Sequence, residues 1–304
     1  MKTLIFFHLP VIDTRSGGYY FFVFYLLAFS TAITVFVFSC KRHRIPFRTI
    51  LLMVGAGVIF FILGNKLFAI SPAGWGRVFT DPDSCCNEGR TVLGGIAGLG
   101  AALFVCGKWL GLKNVLSDRL ALALPLGMIV ARAGCLMAGC CFGMPTSLPW
   151  GIRYGAASAA FASQLHCGLV SISDVASLPV HPVPVYEMIA CALIALVVWI
   201  TRRFWKASGS RLVFTVLLYG TARFFLEFFR DPFGDKFAGV EFLGIKYVQW
   251  AVLSVTVLLG LFLWIRERKV VDPSTVRLTV IQTGDARYIS LAVFLLVLFT
   301  AAGT

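Results

Sequence analysis

A chain of 304 residues that is 59% hydrophobic, only 13% charged and holds 28 Phe, with a mean hydropathy of +0.86, is no soluble globular protein, in which about a quarter of the residues carry charge. The formal net charge of +13 does not point to nucleic acid, because the basic residues sit in short loops between apolar runs, where they report orientation. The composition predicts an all-α polytopic membrane protein with about seven transmembrane helices.

A spanning helix needs about 20 mostly apolar residues. In chain order, the runs near 19–39, 50–70, 91–107, 120–140, 185–201, 212–229 and 247–265 qualify or nearly so, and a shorter run near 288–303 offers an eighth, C-terminal helix. Lys41, Arg42, Arg44 and Arg48 follow the first run, and Lys108, Lys113 and Arg119 the third. Arg202, Arg203, Lys206 and Arg211 follow the fifth, and Arg266, Arg268 and Lys269 the seventh. Positive loops stay cytoplasmic, so the segments 71–90, 142–184 and 230–246 and the N-terminus are expected outside. The basic cluster follows the first run instead of preceding it, so no cleaved signal peptide is expected. Residues 1–270 are expected to form a single transmembrane domain, with 142–184 as a small outer head and 271–304 as a C-terminal tail.

The third run carries GGIAGLG at 94–100. No strand precedes it, so Gly94 and Gly95 read as close helix packing or backbone approach to a ligand, not as a nucleotide loop. The fourth run ends on RAGCLMAGCCFG, 132–143. An arginine within a span costs at least a few kcal/mol and persists where it faces a cavity or a partner, which singles out Arg132. The fifth opens on HPVPVYE, 181–187. Its prolines favour an extended approach that puts Tyr186 and Glu187 on the first helical turn. His181, Tyr186 and Glu187 suit interfacial anchoring, headgroup contact or proton transfer. The sixth ends on YGTARFFLEFFRDP, 219–232. Arg223, Glu227 and Arg230 at i, i+4 and i+7 are expected on one helix face, either as an ion pair pinning the bundle or, together with Arg132, as a clamp for an anionic phospholipid headgroup.

Three ordered motifs carry a family resemblance: Arg132-Ala-Gly134 with Gly139, Gly143, Pro145-Thr146 and Pro149-Trp150-Gly151; then His181-Pro182 with Tyr186-Glu187; then Arg223, Glu227-Phe-Phe-Arg230 and Pro232. Over roughly three quarters of its length the chain resembles bacterial prolipoprotein diacylglyceryl transferase. The resemblance implies transfer of the diacylglyceryl group of phosphatidylglycerol to a cysteine thiol of an exported protein, with release of glycerol phosphate, in a bacterial inner membrane. It implies that Arg132 and Arg223 hold the lipid phosphate, that Glu227 orients the arginine, and that Gly143 belongs to the outer head. No cofactor and no metal are implied.

The departures concentrate on thiols. The resemblance implies His-Gly-Gly where this chain has Leu93-Gly94-Gly95, Asn where Cys135 stands and Glu where Cys140 stands. Cys135 is therefore placed with the substrate contacts, and Cys140 and Cys141 with the catalytic candidates, as a replacement base or nucleophile activated by Arg132. The motif placement implied by the resemblance also brings the 85–86 loop over 139–141, so Cys85 or Cys86 is a disulfide or redox partner for Cys140 or Cys141. Zinc is the weaker reading of those four thiols, because paired CC doublets lack the C-x₂₋₄-C spacing. Plain packing is the remaining one, and it is the expectation for Cys40, Cys106 and Cys191. Two other functions stay open on the same scaffold: a thiol redox or disulfide-exchange membrane protein, and a lipid-binding subunit without catalysis.

Overall fold

The computed structural model describes residues 11–42, 45–67, 92–109, 117–231 and 241–269. Among the described residues there are eight α-helices: α1 (Gly17–Arg42), α2 (Phe47–Leu67), α3 (Val92–Trp109), α4 (Ser117–Ala138), the short α5 (Ala159–His166), α6 (Val183–Ile200), α7 (Ser210–Leu226) and α8 (Tyr247–Arg268). Six of them, α1, α2, α4, α6, α7 and α8, are long and apolar enough to cross a membrane. The expected all-α polytopic class holds. Broadly exposed apolar side chains on these helices, such as Leu193, Trp199, Leu258 and Trp264, are what a lipid-facing surface looks like without its lipid. The run near 288–303, and Cys85 and Cys86, lie outside the described residues.

The chain's described residues divide into two compact units, one within Val37–Arg119 and the other made of the residues up to Phe36 and from Leu120 onward. In the first, α2 packs along α3 through small residues. A Cβ on Gly98 would overlap the Phe60 carbonyl, one on Gly64 the Gly94 carbonyl, and one on Gly95 would meet the Phe61 ring at 2.5 Å. Gly94, Gly98, Ala102 and Cys106 recur every four residues, and the last two are fully buried. Without a hydrophobic force between helices in lipid, such small-residue stripes let the backbones approach closely. Of the two readings of the glycine-rich run, close helix packing is the one this contact displays.

In the second unit, α1 runs antiparallel to α4. Gly17 faces Ala138, Gly134 faces Phe21 and Phe24, and Gly127 faces Ala28 and Ala32. At the other end of α4, Ala121 meets Ile194 and Val198 of α6, flanked by Phe214, Leu218 and Tyr219 of α7, and Thr215 Oγ1 donates to the Ala121 carbonyl at 3.2 Å. The segment between α4 and α6 is a small head with its own core of Phe142, Tyr154, Ala160 and Val180. The two-residue strands β1 (Val11–Ile12) and β2 (Arg153–Tyr154) pair in parallel over it, and bridges tie Pro145 and Ile152 to Val180. Ser158 caps α5 by accepting from the Phe161 N–H at 3.1 Å. Strands β3 (Glu241–Phe242) and β4 (Ile245–Lys246) form a hairpin that leads into α8.

Candidate functional site

The end of α4 explains why three thiols meet. Gly139 is left-handed at φ +66. Its N–H donates to the Leu136 carbonyl at 3.4 Å, and the Cys140 N–H donates to the Cys135 carbonyl at 3.2 Å. This paired pattern is the Schellman motif, which carries the residue two past the cap back onto the helix's last turn. Cys140 is thereby folded over Cys135, and Cys141, itself left-handed at φ +57, turns its thiol into the same place. The three sulfurs lie within 4.8 Å of one another. Gly139→Ala should cost about 1–2 kcal/mol from the left-handed backbone alone, with a further contribution because its Cβ would sit 2.8 Å from Thr14 Cγ2. A lower melting temperature together with faster maleimide labelling of Cys140 is the expected result; unchanged values of both would refute this role for the turn.

Two guanidiniums border the thiols. Arg132 Nη1 lies 3.8 Å from Cys135 Sγ and 3.6 Å from Cys141 Sγ, and Arg230 Nη2 lies 3.5 Å from Cys141 Sγ. Hydrogen bonds from Cys135 and Cys140, then Arg230 and Arg132, hold the Cys141 thiol well below its usual range. The first negative charge of the cluster settles there, and Cys140, bonded to its two neighbours and buried, is pushed up.

Buried ion pairs stand beside the cluster. Arg132 Nε pairs with Glu187 Oε2, and Arg223 Nη2 pairs with Glu227 Oε2 at 2.6 Å, each carboxylate side chain being only 2% exposed. Lys246 Nζ approaches Glu227 Oε1 at 3.7 Å and donates to the carbonyls of Glu227 and Arg230 at 3.2 and 3.0 Å. Gln249 supports it, accepting from the Lys246 N–H at 3.0 Å and donating to the Phe224 carbonyl at 3.1 Å. Glu187 also feels Arg223 and Arg230, so both pairs contribute to one electrostatic region. Four cations, Arg132, Arg223, Arg230 and Lys246, thus face two carboxylates, Glu187 and Glu227. Such a region favours an added anion. Arg223 Nη1 is buried without a hydrogen-bond partner, a donor that a ligand oxygen would satisfy.

The expectation that Arg223, Glu227 and Arg230 share one helix face needs correction. The α-helix ends at Leu226, Glu227–Phe229 form a 3₁₀ turn, and Arg230 is extended at φ −85, ψ 136. Pro232 is the physical reason, since the chain approaching a proline is biased away from helix. Arg230 instead bridges Gly143. Around that bridge the Gly143 N–H donates to the His181 carbonyl at 3.0 Å and the Met144 N–H to the Phe229 carbonyl at 2.9 Å.

α6 starts at Val183, with Pro184 in its first turn, so Tyr186 and Glu187 sit at its opening as the prolines predict. His181 Nδ1 is 3.2 Å from Tyr186 Oη, Trp150 Nε1 donates to the same oxygen at 2.8 Å, and both rings pack edge-on against Phe229. Partial burial pushes the His181 imidazole below its usual pKa.

The structure therefore assembles Arg132, Cys135, Cys140, Cys141, Gly143, His181, Tyr186, Glu187, Arg223, Glu227 and Arg230 in one unit. Gly94 and Gly95 belong to the other unit, and the pairing of Cys85 or Cys86 with Cys140 or Cys141 lies outside the described residues. The third thiol beside Cys140 and Cys141 is Cys135, which the sequence reading placed among the substrate contacts. Cys40, Cys106 and Cys191 are buried and behave as small apolar residues. Sequence reasoning missed Lys246 and Gln249. A lysine at the edge of an apolar run is where solvated lysines normally sit, so only its approach to Glu227 reveals it.

The profile of the prolipoprotein diacylglyceryl transferase family matches residues 6–266. The chain belongs to that family. Among its relatives is the phosphatidylglycerol–prolipoprotein diacylglyceryl transferase of Polynucleobacter asymbioticus, 27% identical over 79% of this chain and 88% of that protein. The enzymes of the same name from Polynucleobacter necessarius and Clostridium tetani are 27% and 29% identical, over 68% and 70% of this chain and 73% and 78% of their own lengths. The match spans every element of the ion-pair region, from α4 to the start of α8, so the diacylglyceryl transferase family is the frame in which these buried charges are to be read.

Proposed function

We propose that this protein transfers the diacylglyceryl group of phosphatidylglycerol to a cysteine thiol of an exported protein, from within a bacterial inner membrane, with the N-terminus and the 142–184 head outside. The single observation that carries the site reading is the cationic surplus beside Arg223 Nη1, a buried donor without a partner. Guanidiniums match phosphate bidentately. Arg132 and Arg223 hold the phosphodiester, Glu187 and Glu227 fix the two arginines, and the 3₁₀ turn after α7 brings Arg230 to the same region. The acceptor thiol releases its proton to solvent, its sulfur attacks the glyceryl carbon, the carbon–oxygen bond to phosphate breaks, and the electron pair leaves on glycerol phosphate. Charge builds on the leaving phosphate, where preorganised cations lower the barrier most. Membership of a transferase family favours this reading over a thiol-exchange protein or a silent lipid-binding subunit.

The test is a transfer assay in nanodiscs of phosphatidylglycerol with a cysteine peptide, reading the peptide's gain in mass and the release of glycerol phosphate. Arg223→Ala is expected to lower turnover about 10²-fold or more, the scale seen when one charge-stabilising donor is removed. Arg223→Lys should recover only a small part, because a point charge lacks the fork. Full turnover in Arg223→Ala would sink the clamp.

A further inference from the structure

The two carboxylates at this site are each held by cations, and His181 is turned to Tyr186 Oη. Among the described residues, what stands beside the phosphate clamp and is left to handle an acceptor thiol is the group of three sulfurs. We propose that Cys135, Cys140 and Cys141 bind a zinc ion whose fourth position takes the acceptor thiol, an inference that rests on the transferase reading above.

Three observations carry it. First, the sulfurs lie within 4.8 Å of one another. Tetrahedral zinc with sulfur at about 2.3 Å needs neighbouring sulfurs about 3.8 Å apart, so small rotations of the thiols complete the site. A set of three protein ligands with one open position is the pattern of catalytic zinc, whereas structural zinc closes all four. Second, the surroundings suit ligated sulfur. Three thiolates and one zinc carry a net charge of −1, and the N–H groups of Arg132 and Arg230 already lie 3.5–3.8 Å from two of the sulfurs. Donors of this kind orient and stabilise metal-bound ligands. The Tyr154 hydroxyl is buried without a hydrogen-bond partner, and its ring stands beside Gly139, the residue that turns the chain into the cluster. Third, Cys141 holds a left-handed φ of +57, which a residue with a Cβ adopts only at a cost that the surrounding structure must offset. The effect of that backbone is to keep its thiol in the cluster.

The chemistry is that of thiol activation. A thiol that coordinates zinc is deprotonated outright, so the acceptor R–SH binds as R–S⁻ and its proton passes to solvent. The sulfur's lone pair forms the new S–C bond to the glyceryl carbon as the C–O bond to phosphate breaks. The electron pair leaves on glycerol phosphate, and the neutral thioether, a weak ligand, leaves the zinc. No oxidant or reductant takes part. Cu(I), which also favours thiolates, would be satisfied by three sulfurs and would leave no position for the acceptor.

The experiment uses the full-length chain in phosphatidylglycerol nanodiscs under reducing conditions, equilibrated with buffered zinc and analysed for metal by mass spectrometry. One zinc per chain is expected. At the same free zinc, Cys141→Gly should bind at least tenfold less, and this variant relieves the left-handed backbone and so keeps the fold. Cobalt in place of zinc reports the ligands: its visible spectrum should shift when a peptide with one cysteine is added and stay still with the serine counterpart. Zinc well below one equivalent in the wild type, equal occupancy in Cys141→Gly, or a cobalt spectrum indifferent to the cysteine peptide would each overturn the proposal. Transfer is followed separately in the same nanodiscs. Full turnover by zinc-free protein overturns the zinc role and leaves the transferase reading standing. A cobalt response to the peptide without any transfer overturns the transferase reading and leaves the metal site standing.

Discussion

Arg132→Ala is expected to lose both stability and turnover, and the two losses are separable. Glu187 is 2% exposed and pairs with Arg132. Removing one partner of a buried pair leaves an uncompensated charge, which costs about 3–5 kcal/mol. Replacing both partners by apolar groups of similar volume is often neutral or better. The double variant Arg132→Met/Glu187→Leu should therefore recover most of the melting temperature that Arg132→Ala loses, measured in the same detergent. Its transfer of diacylglyceryl should stay down about 10²-fold or more, because the phosphate donor is gone. Recovery of turnover along with stability would mean that the pair is structural only.

Gly143→Ala should be the most disruptive single methyl in the head. Its Cβ would lie 2.5 Å from the Phe229 carbonyl oxygen, 2.6 Å from His181 Cβ and 2.8 Å from the His181 carbonyl oxygen. Two of these are backbone atoms of the segments on either side, so no side chain can swing away. Overpacking of this kind costs about 1–3 kcal/mol, and here it also pries apart the bridge that brings Arg230 to Gly143. Faster proteolysis within 142–182 and a loss of turnover of at least tenfold are expected. A variant with wild-type proteolysis and activity would show that this close approach is not needed.

Much of this was legible because lipid makes errors costly. A charge within an apolar run is conspicuous and needs a partner, so Arg132, Arg223 and Glu227 stood out, and the ordered motifs pointed to the family. The prolines at 182 and 184 set the opening of α6. What misled was the assumption that helical spacing continues to Arg230. Pro232 was the available warning, and the extended Arg230 faces the thiols because the helix stops first. Lys246 and Gln249 gave no signal, since a polar residue at the end of a span costs nothing there. The pairing of Arg132 with Glu187 joins residues far apart in the chain, and no local pattern encodes it.

The sequence by itself determined the membrane class, the approximate place of the six apolar helices long enough to span and which charges had to be explained, because each follows from the local cost of placing a residue type in lipid. The tertiary structure decided who meets whom. Gly139 is visible in the sequence, but only the closed Schellman turn shows that Cys140 folds onto Cys135 instead of reaching away from it. The backbone at Cys141 then sets the third thiol between Arg132 and Arg230. Those contacts depend on left-handed dihedrals and on helices α4, α6 and α7 converging, which are properties of packing that hydropathy and spacing do not carry.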